Sequence, residues 1–283
     1  MSENIKTIAV IGAGQMGAGI AQVAAASGFE TILWDADAAS LEKGYGGINT
    51  LLNKAQEKGK ITTDEKNVTL ARMKKAASLA DFSKADLVIE AIVERFDIKS
   101  KLFADLGKIV SKTCILASNT SSISITKLAS TFAQPENFVG MHFMNPVPVM
   151  KLVELIRGLQ TSDATYKTVR GVSEKMDKTC VLAIDTPGFI VNRILVPMVN
   201  EAIFLLQEGV LAEDIDNAMK LGTNQPMGPL VLADFVGLDT LLFILRILHS
   251  ELGEDKYRPC PLLVKYVEAG WLGKKTGRGF HKY

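Results

Sequence analysis

Thr7-Ile-Ala-Val-Ile11 runs directly into Gly12-Ala-Gly14-Gln15-Met16-Gly17, and Ala18-Gly-Ile-Ala-Gln-Val-Ala-Ala-Ala-Ser-Gly28 follows. A short apolar run, a G-x-G-x-x-G turn and an alanine-rich segment in that order read as strand, phosphate-binding turn and helix. Each glycine has its own reason: Gly12 permits the tight turn, Gly14 lets a pyrophosphate approach the backbone, and Gly17 permits close helix–strand packing. Gln15 and Met16 lie where the N–H groups of the opening helix point at an anion. Ala18, Ala21, Ala24 and Ala25 keep that helix close to the sheet. Asp35 closes the next apolar run, Thr31–Trp34, 18 residues beyond Gly17. A carboxylate there accepts hydrogen bonds from ribose hydroxyls. It also repels a 2′-phosphate, and no arginine follows it immediately, so NAD is expected rather than NADP.

The pattern set by this first unit repeats. Leu87–Ala91, Cys114–Ser118 and Phe138–Phe143 are further apolar runs, and Lys151–Ile156 and Thr179–Ile184 read as two more strands. Nearly continuous apolar runs suit strands covered on both faces, and the helical segments between most of them argue for a doubly wound sheet. Between Ala39 and Ala77 lies a long charged stretch with apolar residues at Leu41, Ile48, Leu51, Leu52 and Ala55. It is expected to form a projecting helical pair outside the sheet. After Asp185-Thr-Pro-Gly188 the pattern turns helical to near the end. The expected fold class is therefore α/β: a Rossmann-type doubly wound sheet with a helical arm over residues 1–184, then an all-α domain over residues 185–283. The run Leu241-Leu-Phe-Ile-Leu-Arg-Ile-Leu248 is too apolar for a lone surface helix. Packing against a second subunit and burial within one chain both account for it.

The chain has 283 residues, 32 of them Lys or Arg and 31 Asp or Glu. That length allows roughly three quarters of the unfolded surface to be buried. The balanced charge argues against nucleic-acid binding through an overall basic surface. Cys114, Cys180 and Cys260 are odd in number, widely spaced and outside any C-x-x-C, which fits a reducing compartment and neither a disulfide scaffold nor a zinc site. Three histidines leave little material for a metal centre. The N-terminus lacks the pattern of a secretory signal. The most apolar stretch, Phe189–Leu206, is broken by Asn192, Arg193, Pro197, Asn200 and Glu201, so no membrane span is expected. A cytoplasmic protein is the expectation.

The residues that could carry chemistry fall late in the first domain. Ser118-Asn-Thr-Ser-Ser122 follows a strand, at the carboxyl edge where doubly wound sheets bind ligands. His142 opens His142-Phe-Met-Asn145-Pro146-Val-Pro148, Glu154 stands twelve residues further on, and Asn192 sits in Gly188-Phe-Ile-Val-Asn-Arg193. Together they offer a base, a carboxylate to orient it, and uncharged donors to hold an oxygen. Oxidation of a secondary alcohol needs that set, because hydride goes to a nicotinamide while a base takes the hydroxyl proton. Glu154 lies between apolar residues of an expected strand, and a buried carboxylate there requires a partner.

On GAGQMGAGIAQVAA, EAIVE, SNTSS, HFMNPVPVMKLVE, DTPGFIVNR, MGP, GLD and GKKTGRGF, from residue 8 nearly to the end, the chain resembles the short-chain L-3-hydroxyacyl-CoA dehydrogenases. The resemblance implies NAD-dependent interconversion of (S)-3-hydroxyacyl-CoA, of the 3-hydroxybutyryl class, and 3-oxoacyl-CoA. It implies His142 as catalytic acid–base, Glu154 as its orienting carboxylate, and Ser121 and Asn192 as oxygen-binding groups. It implies cofactor contacts at Ala91, Glu94, Lys99, Asn119, Ser121, Asn145 and Lys275, in addition to the glycine turn and Asp35. It also implies a homodimer formed through the C-terminal helices, and coenzyme A held near the arm. Between Lys54 and Lys75 the arm carries seven basic residues against three acidic ones, and Lys54 and Lys58 are the expected contacts to the CoA phosphates. Aligned through Gly47-Ile48, the serine that the family often offers on this arm is replaced by Leu51. A dehydrogenase of free hydroxy or sugar acids and a non-catalytic dinucleotide-binding protein are the competing readings; the basic arm and PVPVMKLVE favour the CoA ester.

Overall fold

The structure, a computed structural model, describes residues 5–283; the parts of the expected first domain and of the N-terminal reading that fall on residues 1–4 lie outside the described residues. Eight strands form one sheet: β1 (Thr7–Ile11), β2 (Glu30–Trp34), β3 (Met73–Lys75), β4 (Leu87–Glu90), β5 (Ile115–Ser118), β6 (Phe138–Phe143), β7 (Leu152–Arg157) and β8 (Thr179–Ile184). Their spatial order is β3-β2-β1-β4-β5-β6-β7-β8. Neighbours from β3 to β6 are parallel, β7 runs antiparallel to β6, and β8 is parallel to β7. The reversal at β7 follows from chain length. A parallel crossover needs about a dozen residues or more, and only Met144–Lys151 separates β6 from β7.

The helices of this unit are α1 (Gln15–Ala26), α2 (Ala38–Glu57), α3 (Thr63–Ala71), α4 (Phe96–Leu106), α5 (Ile125–Ala129) and α6 (Asp163–Lys175). The central apolar runs are buried as their continuity implies, with all six residues of β6 and all four of β4 enclosed, whereas the edge strand β8 buries only Ala183 and leaves Leu182 and Ile184 exposed. The strand order reverses between β1 and β4, which opens a crevice at their carboxyl ends.

The charged stretch expected to stand outside the sheet does so only in part. Its two helices form, but Met73–Lys75 continues into the sheet as the edge strand β3, paired with β2. Only Met73 of that strand is buried, while Lys74 and Lys75 face solvent. Three residues with one apolar side chain leave no run for a sequence reading to find. The base of α2 is also part of the main core, with Leu41, Ile48 and Leu52 packed among the residues of α1 and β2. Leu51, in contrast, is 52% exposed.

The chain divides into two compact units, the first ending at Asp185 and the second spanning Thr186–Tyr283. The second is built from α7 (Val191–Gln207), α8 (Ala212–Thr223), α9 (Pro229–Val236), α10 (Leu238–Leu252) and α11 (Pro261–Glu268). Its core joins Val199 and Ile203 of α7, Leu230 of α9, Leu241, Leu245 and Leu248 of α10, and Leu263 of α11. Most of the apolar run in α10 is thus covered within this unit, and Phe243 is its large exposed member. Among the described residues no helix is long and apolar enough to cross a membrane.

Candidate active site

The glycine turn sits at the end of β1, held by the Gly12 N–H donating to the Trp34 carbonyl at 2.8 Å and the Ala91 N–H donating to the Ile11 carbonyl at 2.7 Å. The three glycines differ as the motif requires. Gly12 has φ +97°, and a Cβ there would lie 2.5 Å from the Ala91 carbonyl oxygen. A Cβ on Gly17 would lie 1.8 Å from the Gly12 carbonyl oxygen, so that position closes the turn onto the helix. Gly14 faces open space, with nothing within 4 Å of an added Cβ. It also caps α1, whose first turn carries no acidic residue and no side-chain cap. The opening N–H groups of α1 and an unobstructed backbone therefore meet at one point, which suits a pyrophosphate.

Asp35 stands at the end of β2, where it braces the turn: Oδ2 accepts from the Ala13 N–H at 2.7 Å and Oδ1 from the Asp37 N–H at 2.9 Å. Each oxygen keeps lone-pair capacity for a ribose hydroxyl. A cleft of about 840 Å³ begins here, lined by Gly12, Gly14, Asp35 and Ala91, and by Ile98, Lys101 and Leu102 of α4. The α4 residues were not singled out in the sequence. An apolar wall from the segment after β4 has no motif of its own.

At the ends of β4 and β5 a buried charge network fixes the SNTSS loop. Glu90 is fully buried, and its Oε2 accepts from Ser118 Oγ at 2.6 Å, while Oε1 accepts from the Ile92 N–H at 2.7 Å. Lys99, 1% exposed, donates to Glu90 and lies 3.3 Å from Glu94 Oε2. The other Glu94 oxygen gathers the loop. It accepts from Thr120 Oγ1 at 2.6 Å, the Ser121 N–H at 2.8 Å, Ser122 Oγ at 3.0 Å, the Ser122 N–H at 3.1 Å and Ser121 Oγ at 3.2 Å. Burial pushes the Glu94 carboxyl up, but the Lys99 ammonium and these donors outweigh it and hold the group below its ordinary value. Glu90 carries the signal that marks Glu154, a carboxylate between apolar residues of an expected strand that needs a partner, although it was not singled out.

His142 and Glu154 face each other in register across the antiparallel pair β6–β7. His142 Nδ1 lies 2.7 Å from Glu154 Oε2, with Glu154 fully buried and His142 8% exposed. The twelve-residue spacing is thus a consequence of a short turn between two paired strands. Asn119 Oδ1 accepts from the Phe143 N–H at 2.9 Å and ties the end of β5 to that of β6.

Residues 7–186 match the NAD binding domain of 3-hydroxyacyl-CoA dehydrogenase, and residues 188–283 match the C-terminal domain of 3-hydroxyacyl-CoA dehydrogenase. The chain belongs to the 3-hydroxyacyl-CoA dehydrogenase family. It is 54% identical over 284 residues to the 3-hydroxybutyryl-CoA dehydrogenase of Bradyrhizobium diazoefficiens, covering 100% of this chain and 97% of that protein. It is 45% identical over 289 residues to the mitochondrial hydroxyacyl-coenzyme A dehydrogenase of Homo sapiens, covering 99% of this chain and 91% of that protein. The crystal structure of the (S)-3-hydroxybutyryl-CoA dehydrogenase of Ralstonia eutropha superposes with a TM-score of 0.96 at 48% identity, covering 99% of each chain.

Within this 3-hydroxyacyl-CoA dehydrogenase fold the expected residues separate into groups. Gly12, Gly14, Gln15, Met16, Gly17, Asp35 and Ala91 lie around the crevice between β1 and β4. Ser121 and Glu94 are joined directly, and Asn119 adjoins the strand of His142. Lys99 is enclosed, and its ammonium is directed at Glu90 and Glu94. Asn145 is exposed in the turn after β6. Two residues belong to the second unit: Asn192 in the first turn of α7, and Lys275, whose Nζ donates to both oxygens of Asp239 at 2.6 and 2.7 Å. On the arm, Lys54 ends α2 and Lys58 caps it, both exposed. Lys66, Lys74 and Lys75 bond or pair with Asn53, Glu30 and Glu42. Among the described residues, Lys54, Lys58 and Lys60 make no ion pair.

Proposed function

We propose that this protein interconverts short-chain (S)-3-hydroxyacyl-CoA and 3-oxoacyl-CoA with NAD, and that His142 handles the proton. The observation that carries the reading is the in-register His142–Glu154 pair at the carboxyl edge of a sheet that also bears the glycine turn. The crevice fits the dinucleotide because its open Gly14 backbone, uncapped helix start and Asp35 carboxylate match pyrophosphate and ribose. When bound, the nicotinamide supplies or accepts the hydride.

The residues of the chain manage the oxygen. Glu154 accepts a hydrogen bond from the Nδ1–H of His142, which fixes the tautomer and the ring orientation, and Nε2 is assigned to give a proton to the substrate oxygen or take one from it. Ser121 and Asn192 are assigned as donors that polarise that oxygen. For Ser121 this means releasing its Oγ–H from Glu94, the longest of five bonds to that carboxylate oxygen at 3.2 Å. Its N–H, at 2.8 Å, keeps the loop attached. Glu94 and Asn145 are assigned to the cofactor, and Lys99 acts by holding Glu94. Lys275 is assigned to the cofactor from the second unit, with Asp239 as its resting partner. Lys54 and Lys58 are assigned to the CoA phosphates. A homodimer through the C-terminal helices accords with exposed Leu211, Leu221 and Phe243. A cytoplasmic location accords with three free cysteines, two of them buried.

The test is NADH oxidation followed by absorbance. Acetoacetyl-CoA should be reduced rapidly and free acetoacetate should not. Equal turnover of the free acid would overturn the CoA-ester reading, and no turnover of either would overturn the activity.

A further inference from the structure

The turn that joins the two strands of the acid–base pair is anchored at two points. Between Pro146 and Met150 it folds on itself, the N–H groups of Val149 and Met150 both donating to the Pro146 carbonyl at 3.0 and 2.9 Å. Val147 is 2% exposed and rests on α1, where a Cβ added to Gly19 would lie 2.9 Å from its own Cβ. The second anchor is Lys178, which immediately precedes β8 and is 7% exposed. Its Nζ donates to the Val147 carbonyl at 2.6 Å and to the Met150 carbonyl at 2.8 Å. The neighbours of Lys178 reinforce the join: the Thr179 N–H donates to the Lys151 carbonyl at 2.8 Å, and Lys151 pairs with Asp177.

Burying an ammonium is costly unless its donors are used. Here burial and the charge of Lys151 push Lys178 below its ordinary value, with Asp177 opposing. The donors go to two backbone carbonyls that the turn directs inward, so the lysine does what a strand or helix would otherwise do for those groups. We propose that Lys178 is a positioning residue. By holding the Val147 and Met150 carbonyls it seats the turn on α1, and so sets where His142, Glu154 and Asn145 stand relative to the phosphate-binding helix. The inference rests on the reading of His142 and Glu154 as the acid–base pair. Its logic is geometric: α1 locates the cofactor at its N-terminus, the turn leans on α1 at Gly19, and Lys178 keeps it there.

The experiment compares Lys178→Met, Lys178→Arg, Gly19→Ala and His142→Gln by steady-state kinetics, NADH binding and thermal unfolding. Lys178→Met should lower kcat about ten- to a hundredfold, the size of effect that a misplacement of about 1 Å or less produces. It should also raise KM for NADH, while KM for acetoacetyl-CoA stays within about twofold. Lys178→Arg, which retains charge and donors, should recover part of kcat. Gly19→Ala presses on the same turn at its contact with α1 and should give the same split between kcat and the two KM values, even if Lys178→Met proves too unstable to purify. A wild-type kcat in Lys178→Met or in Gly19→Ala would overturn the proposal. So would a loss that Lys178→Arg does not relieve and that affects every kinetic constant alike. Inactive His142→Gln beside an unimpaired Lys178→Met would sink this inference alone; a fully active His142→Gln would remove the acid–base reading and the inference with it.

Discussion

At the β1–β2 end of the carboxyl edge the site is made of backbone. Gly12, Gly14 and Gly17 supply shape and backbone, and the side chain assigned beside them, Asp35, braces the turn through the Ala13 N–H. At the β6–β7 end the site is made of side chains. Strand register brings His142 onto Glu154, and the backbone serves only to keep them 2.7 Å apart. The two ends should fail differently. A backbone site is broken by an added methyl group that displaces its N–H groups, whereas a buried side-chain pair is broken by losing either partner. Between them, the Glu90–Lys99–Glu94 network spends buried charge to fix the backbone of a loop, and shares both sensitivities.

The largest effect belongs to the side-chain end. General acid–base help is worth about 10²- to 10⁴-fold, so His142→Ala should cut kcat by that order while NADH binds as before. Glu154→Gln should lower the same constant by less, because shape survives while charge is lost. The double variant should lose less than the product of the two, since without the imidazole the carboxylate has nothing to orient. Single-turnover reduction of acetoacetyl-CoA measures all three. Near-normal chemistry in His142→Ala, or cleanly multiplicative losses, would identify some other acid–base group.

Gly17→Ala tests the opposite end and should reverse the pattern. A Cβ 1.8 Å from the Gly12 carbonyl oxygen must displace backbone. Overpacking of this kind costs about 1–3 kcal/mol, enough to weaken NADH binding roughly ten- to a hundredfold without touching His142. Tight NADH binding by a folded Gly17→Ala protein, measured by fluorescence titration, would refute the backbone account. Asp35→Ala is milder. It should narrow the preference for NADH over NADPH by removing a like charge from the 2′-phosphate, and it should also raise KM for NADH because the Ala13 N–H loses its acceptor. Equal catalytic efficiency with both cofactors in the unmodified protein would be the contrary result.

The middle network makes a statement about pH. Glu94 is held below its ordinary value of 4.5. A carboxylate lowered in the native state stabilises the loop above the unfolded value, and that contribution is lost as pH falls through the native one. The SNTSS loop should therefore stay clamped through mildly acid solution, and any fall in kcat between about pH 5 and 7 should be unchanged in Glu94→Gln, though the variant is slower throughout. An acid limb that disappears in Glu94→Gln would assign that limb to this carboxylate.

The backbone end was the more legible in sequence, because glycine spacing after an apolar run states its geometry directly. The fold class followed from the same alternation of runs and helical segments. His142 and Glu154 were legible as chemistry, and what joined them was an inference about burial that the β6–β7 register makes concrete. The edge strand Met73–Lys75 was hidden by its two exposed lysines. Lys178 was hidden for a related reason: it is a charged residue at a strand boundary, where solvent exposure is the ordinary outcome, and only the folded arrangement reveals the partners that let it be buried.

The smallest effect concerns the helical arm, which belongs to neither end. Lys54 and Lys58 are exposed at the close of α2, and the contribution proposed for them to a bound CoA ester would act through solvent. At physiological ionic strength the screening length is about 8 Å, so such attraction is worth little per charge and fades with salt. KM for acetoacetyl-CoA should therefore rise with salt more steeply than KM for NADH, whose pyrophosphate is proposed to rest on backbone N–H groups in the crevice. Reversing both lysines to glutamate should raise KM for the ester by about two- to tenfold, at ~1 kcal/mol or less for each exposed pair, and leave kcat alone. Leu51, exposed on the same helix, offers no hydrogen-bonding group that would compensate. A double reversal that binds the ester normally, with a flat response to salt, would reduce the arm to solvated surface. The contrast between a backbone-held cofactor and a charge-steered substrate would then have no support on this side of the molecule.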